Sequence, residues 1–272
     1  MSANTQRSGA VAGPARRGQD LVFEGVSLLF SGGIAALRDV DLSVPGGSFV
    51  SVVGTSGCGK SSLLNLAAGF FPPSGGRVLV GGAPVRGTDA DRGMVFQEDA
   101  VFPWYTVLQN VEYPLRWSGV SRAERRRRAA ELVERVGLGS RADALPGELS
   151  GGMRKRVDIA RALASDPQVL LMDEPFGALD ALTKVRLQQE FLAVWERQAP
   201  TVLFVTHDLE EALFLSDRVV VMAGQPGRII RSLDVPFPRP RDQQLRNAPE
   251  FQRLRSELAA ALVGPLDLEA VL

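Results

Sequence analysis

"GTSGCGKS", residues 54–61, decides how the rest of this 272-residue chain is read. It fits the pattern G-x-x-x-x-G-K-[S/T]. An apolar run that reads as a strand, "SFVSVVG" (48–54), leads into it, and a helix opens at Lys60 and runs through "SSLLNLAA" to Gly69. Strand, glycine-rich loop and helix in that order are what phosphate binding demands. Gly54, Gly57 and Gly59 allow successive backbone N–H groups to turn inward around phosphate oxygens, and the helix N-terminus adds partial positive charge. Thr55, Ser56 and Cys58 complete the binding loop, with no redox role read for Cys58. Lys60 can reach the β- and γ-phosphates. The Ser61 hydroxyl can ligate Mg²⁺, and Ser62 is close enough to help with phosphate oxygens.

Outward from this loop, short apolar runs recur: "GMVFQ" (93–97), "VLLMDE" (169–174), "TVLFVTH" (201–207) and "RVVVM" (218–222). Continuous rather than alternating hydrophobicity predicts strands covered on both faces, as in parallel α/β sheets. "DLVFEGVSLLF" (20–30) and "LRDVDLSV" (37–44) read instead as strands of an antiparallel edge, with Pro45-Gly46-Gly47 as a turn. The expected fold is α/β: a P-loop NTPase core of mostly parallel sheet, an antiparallel β edge and an inserted helical subdomain at about 98–167. Within that insert "SRAE" (121–124) reads as a capping box opening a helix to about Val136. A second helix is expected over 153–164, ended by Asp166-Pro167. Residues 1–20 read as a disordered tail and 21–240 as the domain that carries the phosphate loop. Residues 241–272 read as a helical extension with Phe251, Leu254, Leu258 and Leu262 as its packing stripe.

Composition narrows the function classes. Lys plus Arg number 31 and Asp plus Glu 31, so there is no basic surplus to support nucleic-acid binding. One cysteine excludes an internal disulfide framework. No apolar run approaches the roughly 18 residues that would suggest a membrane span.

Two further motifs carry chemistry. Asp173-Glu174 ends an apolar strand, which delivers two carboxylates to the edge of the sheet where nucleotides bind. Asp173 is positioned to hold Mg²⁺ through water, and Glu174 to polarise an attacking water as general base. Ser150-Gly151-Gly152 lies before the helix 153–164 and reads as a glycine nest at a second helix N-terminus, a second anion site. One nucleotide on one chain does not obviously need two such sites.

The order of phosphate loop, Gln97, "LSGG" (149–152), "LLMDEP" (170–175), "ALD" (178–180) and His207 resembles the ATPase subunits of ABC transporters, over roughly residues 21–240. The resemblance implies two ATP molecules sandwiched in a head-to-tail dimer, with Ser150, Gly151 and Gly152 of one subunit closing on the γ-phosphate held by the other. It implies that Gln97 senses Mg²⁺ and the attacking water, that Asp180 links the two sites, and that Phe30 stacks on adenine. It also implies that His207, otherwise a lone histidine at the end of a strand, contacts the γ-phosphate. Met153 departs from the glutamine usual in the family. The expected cofactors are ATP and Mg²⁺. The expected partners are a second ATPase subunit, transmembrane permease subunits and, indirectly, an extracytoplasmic solute-binding protein. The expected location is the cytoplasmic face of the cell membrane.

"ADRGMVFQEDAVFPWYTVLQNV" (90–111), "GGMRKRVDIARAL" (151–163) and "PGRI" (226–229) are similar to the nitrate, sulfonate and taurine importer branch. Phe102 and Trp104 are candidates for the groove that receives a permease helix, or for core packing. Arg125–Arg128 read as a solvated helix face near Glu131 and Glu134. A soluble ABC-type ATPase acting on nucleic acid or ribosomes is the alternative. Relatives of that kind carry long inserts or two modules per chain.

Overall fold

The structure is a computed structural model that describes residues 18–263. Most of the expected N-terminal tail and the last nine residues of the expected extension lie outside the described residues.

Strands β1 (Leu21–Leu29), β2 (Ala35–Val44), β4 (Gly75–Val80) and β5 (Ala83–Pro84) form an antiparallel sheet in the order β2-β1-β4-β5. The antiparallel part expected from the sequence is thus a sheet of its own. A second sheet has the order β10-β9-β3-β8-β7-β6. Here β3 (Phe49–Gly54), β6 (Arg92–Val95), β7 (Val169–Asp173), β8 (Thr201–Thr206) and β9 (Arg218–Ala223) run parallel, and β10 (Arg228–Asp234) pairs antiparallel to β9. The continuous apolar runs have the physical cause expected of them: every residue of β3 and β8 is buried. On one face Phe49 meets Phe191, Trp195 and Phe204 with ring centroids 5.5–6.1 Å apart. On the other, Val50 and Val52 pack with Leu63 and Leu64 of α1 (Lys60–Ala68).

Between β6 and β7 the chain is helical: α2 (Val107–Glu112), α3 (Arg122–Arg135) and α4 (Gly151–Ala164), with short 3₁₀ turns between them. Two local expectations are corrected here. Ser121 does cap α3, accepting from the Glu124 N–H, but Glu124 does not return to close the box. Its carboxylate is taken by Arg127 and Arg128, whose hydrogen bonds hold it down to about 2. The arginine run is paired through Glu124, Glu131 and, at 3.5 Å, Glu112. The second correction concerns α4, which starts at Gly151 rather than 153 with Ser150 as its N-cap, so Gly151 and Gly152 are its first two helical residues and no nest precedes it.

After β7 come α5 (Ala181–Gln198), α6 (Leu209–Leu215) and α7 (Pro249–Val263). Residues Phe251, Leu254 and Leu258 are buried and Leu262 is partly buried, as their spacing predicts. Arg241, buried to 8% exposure, donates to the carbonyls of Leu213, Phe214 and Ser216, groups that the C-terminal turn of α6 leaves without helical partners. Burial lowers its pKa to about 10. Among the described residues no helix is long and apolar enough to cross a membrane.

Candidate active site

Sheet register sets the site. Val53 pairs with Thr206, Asp173 with Val205, and Val95 with Met172, so β3, β8, β7 and β6 end side by side. Parallel neighbours lie about 4.8 Å apart. The residues that follow these strands therefore form a row along one sheet edge: the 54–59 loop, His207, Glu174 and the loop of Gln97. Residues spread over 150 positions in sequence meet there because all four strands run the same way.

The loop after β3 is shaped by Gly57 at φ 78° and Gly59 at φ 89°, conformations a side chain would strain. Gly59 is the residue before α1, so the first N–H groups of the helix face the loop. The Lys60 ammonium, nearly buried, donates to the carbonyls of Gly54 at 2.9 Å and Thr55 at 3.0 Å. These bonds hold the charge over the centre of the loop. Lys60, Ser61, Ser62, Gly57 and Gly59 share a cleft of about 610 Å³ with Phe30. Phe30 is 42% exposed and braced edge-on by Phe71 at 5.9 Å, which leaves a ring face open at the mouth of the cleft. Ile34, Gln225 and Pro226 also line it and were not predicted from the sequence. Cys58 faces inward, 1% exposed, and burial pushes its thiol up. Alkylation by N-ethylmaleimide at neutral pH should therefore be slow in the native protein and fast after denaturation, because the thiolate is the reactive form. Rapid native labelling would contradict the buried placement.

Burial raises Asp173, and the nearby Ser61 hydroxyl opposes the rise. Among the described residues no three His, Cys, Asp or Glu side chains gather to hold a metal. A hydroxyl and one carboxylate suit Mg²⁺ best, since that ion keeps several waters and shares the phosphates of its substrate.

Glu174 adopts φ 41°, rare for a residue with a side chain. Its N–H donates to the Val205 carbonyl at 2.9 Å, which pins it against β8. Its carboxylate Oε2 lies 2.8 Å from His207 Nδ1. The His207 side chain is 67% exposed and that of Glu174 19%, so the pair opens to solvent at the sheet edge. Strain of this kind persists only where the surroundings hold it, and it commonly marks a working site.

Gln97 lies in the exposed loop after β6. Helix α4 anchors that loop: Lys155 donates to the carbonyls of Phe96 and Gln97, and Arg154 pairs with Asp99 at 2.9 Å. The buried Asp158 holds Lys155 and Arg161 in place. Helix α4 therefore carries Ser150 at its start and the Gln97 loop on its side.

Ser150, Gly151 and Gly152 do not line the cleft of Phe30 and Lys60. The Ser150 hydroxyl accepts from the Met153 N–H at 3.3 Å. Gly152 abuts α5, where an added Cβ would sit 2.6 Å from Thr183. Asp180 is exposed and caps α5, accepting from the Thr183 N–H at 3.0 Å, a bond that lowers its pKa. The starts of α4 and α5 thus form one corner, separate from the loop that cradles phosphate.

A sequence profile described as ABC transporter matches residues 37–177. The taurine import ATP-binding protein TauB of Rhizobium johnstonii is 47% identical over 242 residues, covering 87% of this chain and 92% of that protein. The nitrate import ATP-binding protein NrtD of a Synechocystis species is 46% identical over 239 residues, covering 86% and 90%. Among solved structures, the dimeric post-hydrolysis state of the ATP-binding cassette MJ0796, bound to ADP and Pi, superposes with a TM-score of 0.70 at 33% identity. It covers 80% of this chain and 99% of that one.

Proposed function

Because this chain belongs to the ATP-binding subunits of the ABC transporters, we propose that it works as one half of a head-to-tail ATPase dimer that powers an importer for taurine-, sulfonate- or nitrate-like anions. ATP hydrolysis is the reaction of the family. The observation that carries the reading is the row of phosphate loop, Glu174–His207 pair and Gln97 along one sheet edge, with a second helix start at Ser150 that does not line its cleft. A site split in this way is complete only when the Ser150 corner of a second subunit closes over the first subunit's phosphates.

In this reading Phe30 stacks on the base, and the 54–59 amides with Lys60 surround the phosphates with fixed positive charge. Ser61 and Asp173 would hold Mg²⁺, which supplies a Lewis-acid charge beside the phosphate oxygens. Glu174 orients the attacking water and takes its proton. His207 holds that carboxylate and reaches toward the γ-phosphate with its other nitrogen. Gln97 approaches from the next strand end. Most of the rate acceleration then comes from positioning and charge, with little covalent chemistry left to the protein. Replacing Phe30 by alanine removes only the stacking face, worth about 1 kcal/mol. ATP affinity should fall roughly fivefold with kcat nearly unchanged, as titration of a fluorescent ATP analogue would read; an unchanged affinity would return Phe30 to packing.

The permease surface is assigned to the aromatic group beside the Gln97 loop. Phe102, Tyr105 and Tyr113 pack together, and Trp104 projects from them at 68% exposure. An exposed tryptophan on a rigid aromatic base is the usual form of an interface anchor. This contact would hold the subunit at the cytoplasmic membrane face. The test is ATPase activity of the complex reconstituted with its permease and binding protein, measured with nitrate, alkanesulfonates and taurine in turn. Stimulation by one of them is the expected result; stimulation by none would refute the solute class.

A further inference from the structure

His207 is mostly exposed, and among the described residues its one hydrogen-bond partner is Glu174. With the side chain 67% exposed, packing restrains the ring little, and its aim depends on Glu174 and on the backbone at residues 206–208. That backbone is held by a polar cluster buried beneath it. Thr206, Glu211 and Gln188 are each 2% exposed or less. The Thr206 hydroxyl accepts from the Asp208 N–H at 3.0 Å and must therefore give its own proton to the Glu211 carboxylate. Glu211 accepts on its other oxygen from the Gln188 amide at 2.8 Å, with Lys184 at 3.4 Å. Lys184 also pairs with Asp208 at 2.7 Å, and Asp208 in turn caps α6. From outside, Arg246 donates to the Gln188 carbonyl oxygen at 2.7 Å. Donors converge on Glu211 from both sides, which fixes the direction of every bond in the cluster.

Such a cluster is a costly way to join α5 to α6. A packed apolar contact would do so with less desolvation, and a half-satisfied network would be worse than either. What the polar cluster adds is direction: both neighbours of His207 are held, and they are held to α5, the helix that starts at Asp180. We propose that Glu211 is a positioning residue for His207, acting through Thr206 and Asp208, and that Gln188 ties this aim to α5. Movement of α5 when the Asp180 corner is engaged would then turn His207 toward or away from Glu174. The proposal rests on the hydrolytic role of His207.

The test uses the full chain in its reconstituted complex, with kcat and KM for ATP measured separately. Thr206→Val keeps the shape but removes the hydroxyl, and Thr206→Ser keeps the hydroxyl. Glu211→Gln turns a donor toward groups that already donate. Thr206→Val and Glu211→Gln should each lower kcat about tenfold, with KM within about twofold of the parent, and Thr206→Ser should restore most of kcat. Parent-like kcat in Thr206→Val, or Thr206→Ser as impaired as Thr206→Val, would overturn the positioning role. His207→Ala separates the two levels. If it is inactive beside a parent-like Thr206→Val, positioning alone fails; if it is fully active, the role of His207 fails as well.

Discussion

Glu174→Gln should lose turnover by about a thousandfold, the scale of removing a general base, while ATP still binds. The amide is isosteric and can still bond His207 Nδ1, which lies 2.8 Å from the native oxygen. The backbone at Glu174, fixed through Val205, has no reason to move. Lys60, Ser61 and Phe30 lie in a different part of the site and keep their contacts. The variant therefore binds ATP, closes, and stops before hydrolysis. Single-turnover assays should show no phosphate burst, and gel filtration should show a dimer that persists with ATP and dissociates with ADP. A parent-like rate would remove Glu174 as the base.

His207→Ala should lower kcat about a hundredfold with ATP affinity unchanged. Its side chain is 67% exposed, so truncation costs the fold little. Its loss leaves Glu174 without its 2.8 Å partner, and removes the donor proposed for the γ-phosphate. Both effects fall on the transition state, which is why kcat rather than KM should respond. A rise in KM with kcat retained would mean that His207 contributes only to binding.

The parallel sheet and the phosphate loop were legible because their signals are local: a buried strand reads as a continuous apolar run, and a loop around phosphate needs glycine at fixed places. Glu174 was legible as a carboxylate at a strand end and His207 through the family resemblance; their contact depends on the register of β7 against β8, which nothing in either segment alone fixes. Helix α5 was not identified. Its buried residues Leu187, Phe191, Val194 and Trp195 have helical spacing, and Asp180 is a sound N-cap, but the run is diluted by charged residues that face outward. Ser150 shows the opposite error. Two consecutive glycines were read as an anion-binding nest ahead of a helix start at 153. In the fold Gly152 is helical, and Thr183 leaves it no room for a side chain. Gln188 and Glu211 could not be found from sequence, because each looks like an ordinary polar residue on a helix until the two helices are packed.

In the proposed dimer each ATP site is shared between two subunits, and a mixture of two defective chains reports on that sharing. Lys60→Ala disables the phosphate loop, and Ser150→Arg disables the opposing helix start at a cost of about 1 kcal/mol for the lost cap. Each should be inactive alone. In a head-to-tail dimer of the two, one site joins the intact loop of the Ser150→Arg chain to the intact Ser150 of the other. ATPase activity should therefore appear on mixing. If Ser150 serves the phosphate loop of its own chain, every site in the mixture is defective, and a mixture that stays inactive would rule out the shared site.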